Sequence, residues 1–372
     1  MPENLTPPFH VEHVGSFLRP QRLLEAARAH KAGSLDDTGF RAVQDECIRE
    51  IVTFQESLGL PSITDGEFRR RSWSAGFIDA VDGFGLRDGT LGFRDEAKVI
   101  GIASSPYAKA PLKRRRQIVA DDYRFLQSVA KRGVPKVTVA SPPVMHYFLG
   151  PKSFETNVYR DREAFFQDLV RIYREEIADL AKEGCAYLQL DETALPCNCD
   201  RHARADVAAR GENADELTER YARLINESIA QKPAGMTVAM HLCRGNLKGA
   251  WMAEGGYEPV AEALFNRVDA SIYCLEYDTQ RAGDFSPLRH LPRGKTVVLG
   301  LVSTKTPKLE SRDELKRRID EAARYAPLEQ LGIGPQCGFS SVGGSGQTIT
   351  QDDTRRKLDL VMEVAREVWG TA

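Results

Sequence analysis

The stretch that decides the fold is MTVAMHLCRGN, residues 236–246, in which a short apolar run ends in a histidine and a cysteine. Residues i and i+2 of a strand point to the same face, so His241 and Cys243 would present a nitrogen and a sulfur to one point. An isolated His-x-Cys is more often a buried strand-end histidine beside a small apolar cysteine than a pair of metal ligands. The stretch therefore predicts a strand that carries chemistry at its carboxyl end, provided that other strands bring further ligands.

Short apolar runs recur along the chain, and most are followed by a long amphipathic segment. Such runs predict strands at residues 11–16, 61–64, 135–140, 186–190, 236–240, 270–275, 296–301 and 331–334. Helical spacing of apolar residues predicts helices at residues 37–58, 119–131, 162–182, 214–230, 259–265, 312–325 and 352–369. Eight strands that alternate with helices in a chain of 372 residues predict an α/β fold, the (β/α)8 TIM barrel.

Residues 83–117 interrupt this alternation after the second strand, and their first part is rich in glycine and charge. This composition predicts an insertion or lid over the barrel mouth. The sequence contains no internal repeat or linker, so residues 1–372 are expected to form a single catalytic barrel domain. The alternative is a doubly wound open sheet, but no G-x-G-x-x-G motif follows any predicted strand.

Composition argues against nucleic acid and membranes as partners. The formal net charge of −2 and the pI near 6.4 provide no general attraction to polyanions. The most concentrated basic run, Lys113 to Arg116, predicts a solvated helix start. No apolar segment approaches the roughly 18 residues of a membrane span, and the N-terminus lacks the pattern of a signal peptide. Seven scattered cysteines, an odd number, indicate reduced thiols, and we expect a cytoplasmic protein.

Polar groups follow most predicted strands, at the end where barrels of this kind carry their active sites. These groups are Gly15–Ser16, Asp65–Glu67, Asp191–Glu192, His241–Cys243, Glu276–Asp278 and Gln336–Gly338. Each carboxylate alone could cap a helix or face solvent. Their coincidence at six strand ends favours a functional site on one rim of the barrel.

The residue types on this rim are those that bind zinc. Zinc takes Cys thiolate, His nitrogen and carboxylate oxygen in tetrahedral geometry. His241, Cys243, Cys337 and one group of the sixth strand would supply such a set. On that strand Cys274 and Glu276 are two residues apart and share a face, so spacing leaves both open as the fourth ligand.

A second set of metal-binding residue types lies at Cys197, Cys199 and His202. Its spacing matches none of the common zinc patterns. It is therefore the weaker of the two predicted metal sites.

Seven stretches spread over almost the whole chain carry a family resemblance. They are HVGSFLRP (13–20), TDGEFRRRSW (64–73), LQLDE (188–192), MHLCRGN (240–246), CLEYDTQRAGDF (274–285), VVLGLVSTK (297–305) and GPQCGFSS (334–341). Together they resemble the cobalamin-independent methionine synthase family, and particularly its short members that consist of the catalytic barrel alone. The resemblance implies a (β/α)8 barrel, in agreement with the strand pattern.

The resemblance also implies a metal centre with Zn²⁺ as the cofactor. Matched residue by residue, the zinc ligands of the family fall on His241, Cys243, Glu276 and Cys337. A thiol of pKa about 8.5 is mostly protonated at neutral pH, and coordination to Zn²⁺ removes that proton. The implied reaction is a methyl transfer by in-line displacement, with the activated thiol of the acceptor as nucleophile.

The amino-acid-binding groups of the family fall on Ser16, Glu67 and Asp191. The resemblance implies that they hold the carboxylate and ammonium ends of a homocysteine-like thiol, which would give methionine or a related thioether. The runner-up hypothesis is a zinc-dependent alkyltransferase that opens an epoxide with a small thiol such as coenzyme M. Glu67 and Asp191 suit an ammonium group and not a sulfonate. A third hypothesis is a binding protein with a closed structural zinc site.

The methyl donor is where this sequence departs from the full-length members of the family. Those enzymes carry an additional N-terminal barrel that helps to bind polyglutamyl folate, and a histidine where this chain reads GLVSTK, with Ser303 near the matching position. Two donors therefore remain, methyltetrahydrofolate and a methylated corrinoid, and we expect methyltetrahydrofolate alone to be the poorer. Lys305 could replace the histidine as an acid, but an exposed lysine with a pKa near 10.4 donates protons weakly at neutral pH.

Overall fold

The computed structural model describes residues 6–371 apart from 96, 97, 248 and 341–347. The strands of this part of the chain are β1 Ser62–Ile63, β2 Val81–Asp95, β3 Lys98–Arg114, β4 Val134–Pro135, β5 Val137–Ala140, β6 Tyr187–Glu192, β7 Thr237–Leu242, β8 Ile272–Glu276, β9 Thr296–Val302 and β10 Leu331–Pro335. The helices are α1 Gln21–Lys31, α2 Asp37–Leu58, α3 Ala75–Ala80, α4 Ala120–Val129, α5 Val144–Tyr147, α6 Arg162–Lys182, α7 Ala194–Cys197, α8 Arg201–Ala209, α9 Ala214–Ile229, α10 Glu258–Glu262, α11 Arg312–Ala322 and α12 Gln351–Trp369.

The central sheet is parallel and follows the order of the chain. Strands β5 to β10 pair successively, each with the next in sequence. On one side β1 pairs with β4, and the N–H of Lys136, between β4 and β5, donates to the Ile63 carbonyl at 2.8 Å. On the other side β10 meets Val11 in a parallel bridge with Ile333. This closed succession of parallel strands with intervening helices confirms the predicted (β/α)8 barrel.

The first predicted strand, residues 11–16, is irregular, and its prediction as a regular strand is wrong. It forms only the bridge at Val11, because the backbone turns at Gly15, whose φ is 127°. Side chains fasten the segment to its neighbour: the Thr64 hydroxyl donates to the Gly15 carbonyl at 2.6 Å, and a ring nitrogen of His13 lies 3.0 Å from the Ser62 carbonyl oxygen. These bonds hold the end of the segment at the rim of the barrel.

The longest predicted helices have the predicted bounds. Helices α2 and α6 begin after Asp36 and Asp161, whose carboxylates each accept a backbone N–H three residues on, at 2.8 Å. Helix α2 ends at Gly59, which has the left-handed φ of 75°. Helices α1 and α8 were not predicted, because each buries only two apolar residues and so has a weak hydrophobic period.

The predicted insertion contains a long antiparallel hairpin formed by β2 and β3. Its second half is held to the barrel by a backbone bond from Ala108 to the Ser153 carbonyl at 2.8 Å. Near its tip Arg94 exchanges two backbone bonds with Trp251, at 2.7 and 3.1 Å. The hairpin is therefore tied to the loop that follows β7, close to the predicted rim, and its role as a lid stays a prediction.

The basic run Lys113–Arg116 does not start a helix, and that prediction is wrong. It ends β3, and α4 begins only at Ala120. Arg114 is 15% exposed, and its guanidinium pairs with the carboxylate of Glu176 at 2.7 Å and with that of Asp179. Glu176 also accepts the N–H groups of residues 118–120 and so caps α4 from the neighbouring helix. Long-range acidic partners, absent from the local pattern, decide the conformation of this run.

Two predictions about the whole chain can be compared with the described residues. All seven cysteines are free thiols, in agreement with the reduced thiols that their odd number and scattered positions indicate. In the part of the chain that the structure describes, no helix combines the length and the apolar character needed to cross a membrane.

Candidate metal centre and substrate pocket

Three of the predicted metal ligands meet at the carboxyl ends of the strands. His241 lies on β7, Cys243 follows that strand, and Cys337 follows β10. One ligand atom of each lies within 4.8 Å of the other two, and the two Sγ atoms are 3.5 Å apart. Two sulfurs bound to one tetrahedral zinc at about 2.3 Å would lie about 3.8 Å apart, whereas a disulfide needs about 2.05 Å. The sulfur spacing is therefore close to that of a metal site.

The imidazole of His241 supports the same interpretation independently. It is 3% exposed, and neither ring nitrogen makes a hydrogen bond of ordinary geometry. Burial alone would lower the pKa of His241, but the nearby Cys337 thiol and the carboxylates of Asp191 and Glu276 raise it. A buried nitrogen without a hydrogen bond is unfavourable, and a metal bound by nitrogen and sulfur would remove that penalty. The donor set fits zinc.

The thiol of Cys243 is protonated when no metal is bound. Its hydrogen bond with Cys337 and its burial raise its pKa well above the usual value. The backbone N–H of Gly245 donates to Cys243 Sγ at 3.2 Å and would stabilise a thiolate there. Metal binding at this group must therefore release protons.

The fourth predicted ligand, Glu276, is not part of this group. Its Oε1 accepts from Lys305 Nζ at 2.7 Å, and its Oε2 accepts from the backbone N–H of Arg244 at 3.0 Å. Burial opposes ionisation of Glu276, but Lys305 and Arg244 together lower its pKa. Glu276 is thus an ionised carboxylate held beside the group, and its role as a ligand stays a prediction.

The other candidate on the same strand, Cys274, lies in the interior of the barrel. It packs in a small apolar cluster that includes Tyr187 and Ile272. Burial raises the pKa of Cys274 to about 12, and the buried ion pair of Lys136 and Glu12 lies close enough to affect it. Cys274 is absent from the group of ligand atoms, so it faces a different layer of the barrel from Cys243 and Cys337.

Lys305 is buried, and its interpretation as an exposed surface charge is wrong. Its side chain is 8% exposed and also lies 3.4 Å from Asp278. Burial works against its charge, but Glu276 and Asp278 raise the pKa of Lys305, so it remains a cation at neutral pH. Ser303, two residues earlier, donates its hydroxyl to Asp278 at 2.8 Å. The carboxylates of Glu276, which ends β8, and of Asp278, which follows it, draw the lysine inward, and nothing in its local sequence predicts them as partners.

The predicted amino-acid-binding carboxylates, Glu67 and Asp191, are joined by an arginine. Arg70 Nη2 lies 2.5 Å from Glu67 Oε1 and 3.4 Å from Asp191 Oδ2. The remaining contacts come from Thr138, which donates to Glu67 Oε1 at 2.8 Å, and Gln189, which donates to Asp191 Oδ1 at 2.8 Å. Burial and the neighbouring Glu67 raise the pKa of Asp191 to about 6, so it is ionised at neutral pH.

Ser16 lies beside the loop that follows β10. The backbone N–H of Ser340 is 3.4 Å from Ser16 Oγ. A Cβ on Gly338 would lie 1.8 Å from the same oxygen, so only glycine allows this approach. The glycine that follows Cys337 therefore brings the predicted substrate-binding hydroxyl next to the predicted metal ligand.

One pocket is lined by three of the predicted metal ligands, without Glu276, and by all three predicted substrate-binding residues, and most of its remaining wall is apolar. It is lined by Val14, Ser16, Glu67, Trp73, Phe93, Asp191, Glu192, Thr193, His241, Cys243, Gly245, Asn246, Met252 and Cys337. Phe93 comes from the hairpin, and Met252 from the loop after β7. Neither was predicted, because isolated apolar residues in loops have no period that indicates a site.

Two charged residues of the site were also missed, Arg70 and Arg244, and Lys305 was considered only as an exposed acid. Arg244 is 1% exposed, and its guanidinium lies 4.1 Å from the ring centre of Tyr257. The backbone N–H of Arg244 donates to the carboxylate of Glu276. Each lies within a stretch that carries the resemblance, which was the available signal. The Asp-Gly-Glu turn at residues 65–67 is a second indication of a functional site. The structure shows it as strained backbone, because Glu67 adopts the left-handed φ of 62°.

The competing cluster of Cys197, Cys199 and His202 does not converge. Among the described residues these three do not form a group of potential metal ligands. His202 is about half exposed, whereas both cysteines are buried, and burial raises the pKa of Cys199 to about 11. The cysteines are core residues of the segment around α7.

Comparisons with known proteins agree with this geometry. The family described as Cobalamin-independent synthase, Catalytic domain, matches residues 9–367. The uncharacterized protein YxjG of Bacillus subtilis is 37% identical over 371 residues, which cover 98% of this chain and 95% of YxjG. The methionine synthase of Saccharolobus solfataricus is 26% identical over 333 residues, which cover 88% of this chain and 86% of that protein.

A solved structure extends the likeness to three dimensions. It is the crystal structure of a Listeria monocytogenes protein assigned to vitamin-B12-independent methionine synthase. That protein is 32% identical to this chain, with a TM-score of 0.78, and the match covers 99% of this chain and 100% of the other. Both the barrel and the loops that carry the site lie within these matches. The chain therefore belongs to the cobalamin-independent methionine synthase family and is a methyltransferase of its catalytic-domain type.

Proposed function

We propose that this protein is a zinc-dependent methyltransferase that methylates a homocysteine-like thiol to give methionine or a related thioether. The observation that carries the proposal is one pocket lined both by His241, Cys243 and Cys337 and by Glu67 and Asp191. The first three residues suit a metal that binds sulfur, and the two carboxylates suit an ammonium group. A small amino acid with a thiol side chain has both complementary groups.

His241, Cys243 and Cys337 would hold the zinc, with Glu276 as the predicted fourth ligand. When bound, zinc supplies Lewis acidity that lowers the pKa of a coordinated thiol and so makes a thiolate available at neutral pH. The thiol proton leaves to solvent. The acceptor sulfur forms a bond to the methyl carbon, the bond from that carbon to the donor breaks, and its electron pair stays with the donor.

Glu67 and Asp191 would bind the ammonium group of the acceptor, and Ser16 would bind its carboxylate. Asp191 is the more available carboxylate, because its contact with Arg70 is 3.4 Å, whereas that of Glu67 is 2.5 Å. An ammonium group beside Asp191 would gain a charge-assisted hydrogen bond in a buried setting. Arg70 would remain on Glu67 and keep the local charge balanced.

The hairpin of β2 and β3 would act as the lid of a single barrel domain. Phe93 lines the pocket, and the backbone bonds between Arg94 and Trp251 hold the hairpin over it. An apolar lid would exclude water from the thiolate and methyl carbon during transfer. We expect Phe93→Ala to raise the KM for the acceptor while zinc content is unchanged.

The donor would be methyltetrahydrofolate or a methylated corrinoid. Displacement of a folate nitrogen needs a proton, whereas a corrinoid leaves with its electron pair and needs none. Near the position where full-length relatives carry a histidine, Ser303 is bonded to Asp278, and Lys305 is held as a cation by two carboxylates. This arrangement supports the corrinoid as the better donor.

The test is a donor screen on the zinc-loaded protein with homocysteine as the acceptor. Thioether formation is followed by mass spectrometry with each donor separately. Methionine in at least one reaction supports the proposal. No methionine with either donor, together with thioether formation from coenzyme M and an epoxide, would replace it with the alkyltransferase. A zinc ion whose X-ray absorption spectrum is unchanged by homocysteine would instead indicate a closed structural site.

A further inference from the structure

A second pocket lies beside the substrate pocket, and Glu67 lines both. It has a volume of about 460 Å³ and is formed by the first half of α2, the start of α4 and the turn that follows β1. The uncharged part of its wall includes Phe40, Ile118 and Val137. A pocket of this size can enclose a small organic molecule. The proposed methyl transfer makes no use of it.

This second pocket contains a carboxylate that the protein does not neutralise. Asp65 forms no ion pair with a described residue, and its carboxylate accepts the backbone N–H of Glu67 at 2.8 Å. Burial raises the pKa of Asp65, and Arg70 and Arg69 offset this only in part. Burial and the neighbouring Asp65 also raise the pKa of Asp122 to about 7, although Arg69 lies 3.1 Å from Asp122. Two carboxylates that disfavour each other's charge provide a position for a cation.

The second pocket also contains guanidinium groups that can bind an anion. Arg116 is exposed, forms no ion pair with a described residue, and donates to the Gln117 carbonyl at 3.3 Å. The side chain of Arg69 is 5% exposed, and its Nη1 has no hydrogen-bond partner among the described residues. Arg70 and Glu67, which lie 2.5 Å apart, neutralise each other. Arg116 and Arg69 therefore provide donors for a carboxylate of a ligand.

We propose that the second pocket binds a free α-amino acid with an apolar side chain. The ammonium group of the ligand pairs with Asp65 and Asp122, and its carboxylate pairs with Arg116 and Arg69. The apolar wall accommodates the side chain. A simple anion or cation would satisfy only one of these two sets of charges. The inference goes beyond the proposed function and does not depend on it, because neither the predicted zinc ligands nor a methyl donor belongs to this pocket.

The test is calorimetric titration of the zinc-loaded protein with L-methionine, which is an amino acid of this class and the product in the proposed function. Wild type should bind two molecules per chain, one in each pocket. Asp65→Asn keeps an oxygen for the Glu67 N–H but removes the charge, so affinity at the second pocket should fall about tenfold to a hundredfold.

A second variant tests the carboxylate position. Arg116→Gln changes an exposed side chain, should weaken the same binding event by about tenfold, and serves if Asp65→Asn does not fold. The matched control is Arg115→Gln, because Arg115 lies 3.6 Å from Asp82 and does not line the pocket. Arg115→Gln should bind methionine as wild type does.

Two analogues test the class of ligand in Asp191→Asn, in which binding at the substrate pocket is expected to be weakened. Methylthiopropylamine lacks the carboxylate of methionine, and methylthiobutanoate lacks its ammonium group. Each should bind at the second pocket at least about tenfold more weakly than L-methionine. If either analogue binds there as tightly as L-methionine, the amino-acid assignment is overturned.

The same titrations separate failure of this inference from failure of the proposed function. One methionine per chain that Asp191→Asn weakens, with no change in Asp65→Asn or Arg116→Gln, would overturn the inference and leave the proposed function in place. One methionine that Asp65→Asn and Arg116→Gln weaken, but Asp191→Asn does not, would support the second pocket and count against the proposed acceptor site. Absence of methionine binding to wild type would overturn the inference.

Discussion

The two ends of the pocket are built in opposite ways. At the metal end, the ring nitrogens of His241 make no hydrogen bond of ordinary geometry, and two thiols face each other at 3.5 Å. At the carboxylate end, Glu67 and Asp191 accept bonds from Arg70 and from polar neighbours. The metal end therefore has a buried imidazole that could bind a metal together with the two thiols, whereas the carboxylates at the other end already have partners.

This difference predicts different consequences of mutation at the two ends. Loss of a metal ligand at the metal end should remove the bound metal. Loss of Glu67 or Asp191 at the carboxylate end should weaken binding of the acceptor, whose ammonium group must already compete with Arg70. The expected loss of function is therefore larger for substitution of a metal ligand than for substitution of a carboxylate.

The largest effect is expected from the thiols. Cys243→Ser and Cys337→Ser should each lose most of the bound zinc, because a serine hydroxyl is a much poorer zinc ligand than a thiolate. Zinc per chain, measured by mass spectrometry of purified protein, tests this. The control is Cys274→Ser, which changes a buried thiol opposite His241 on the next strand. Full zinc occupancy in both ligand variants would show that the ligand assignment is wrong.

At the carboxylate end, Asp191→Asn and Glu67→Gln should weaken acceptor binding and leave zinc in place. A charge-assisted hydrogen bond contributes on the order of 1.5–3 kcal/mol, so the loss should be about tenfold to a hundredfold. Calorimetric titration of the zinc-loaded protein with homocysteine measures it. The control is Asp79→Asn, since Asp79 pairs with Arg71 in a more exposed position. Unchanged affinity in both site variants would favour the epoxide-opening reaction.

The pH dependence of acceptor binding sharpens the same comparison. The pKa of Asp191 is raised to about 6 by burial and by Glu67, against the opposing effect of Arg70 and His241. Release of the thiol proton should lower the affinity as pH falls below the thiol pKa, at any pH in this range. Because an ammonium group binds the ionised form of Asp191, protonation of Asp191 should add a further fall of up to about tenfold per unit below about pH 6. Titrations between pH 5 and 8 test this, with zinc content measured at each pH because acid also releases metal.

The control for the pH profile is Asp191→Asn, which has no titrating group at that position. It should bind the acceptor weakly at every pH and lose the additional slope below about pH 6, while the slope that release of the thiol proton causes remains. Parallel slopes in wild type and Asp191→Asn would place the titrating group elsewhere in the pocket.

The smallest effect is expected from the choice of donor, which neither end of the pocket determines directly. A methylated corrinoid should react a few times faster than monoglutamyl methyltetrahydrofolate in single turnovers, because its leaving group needs no proton. Quenched-flow measurement of methionine formation with each donor tests this. A folate rate equal to the corrinoid rate would show that no acid is required near Ser303.

Much of the fold followed from local patterns in the sequence. Alternation between short apolar runs and helical periods predicted the parallel strands and the long helices, because hydrophobic period is a property of neighbouring residues. Helices α2 and α6 were placed at their observed bounds, since their capping residues lie next to them in sequence. The shared face of His241 and Cys243 is also local, because residues two apart on a strand point the same way.

Only the tertiary structure decided how these groups are paired. Arg70 reaches Asp191 across 121 residues of chain, and Lys305 reaches Glu276 across 29. No period or spacing predicts such contacts, because they depend on which side chains the closed barrel brings together and on which buried charges need a partner. The sequence alone thus determined which polar residues follow the parallel strands, and it predicted from their donor atoms that the rim suits zinc. The packing of the barrel decided that Glu67 and Asp191 are already paired, since a buried charge without a partner is costly, and that the ring nitrogens of His241 make no hydrogen bond of ordinary geometry.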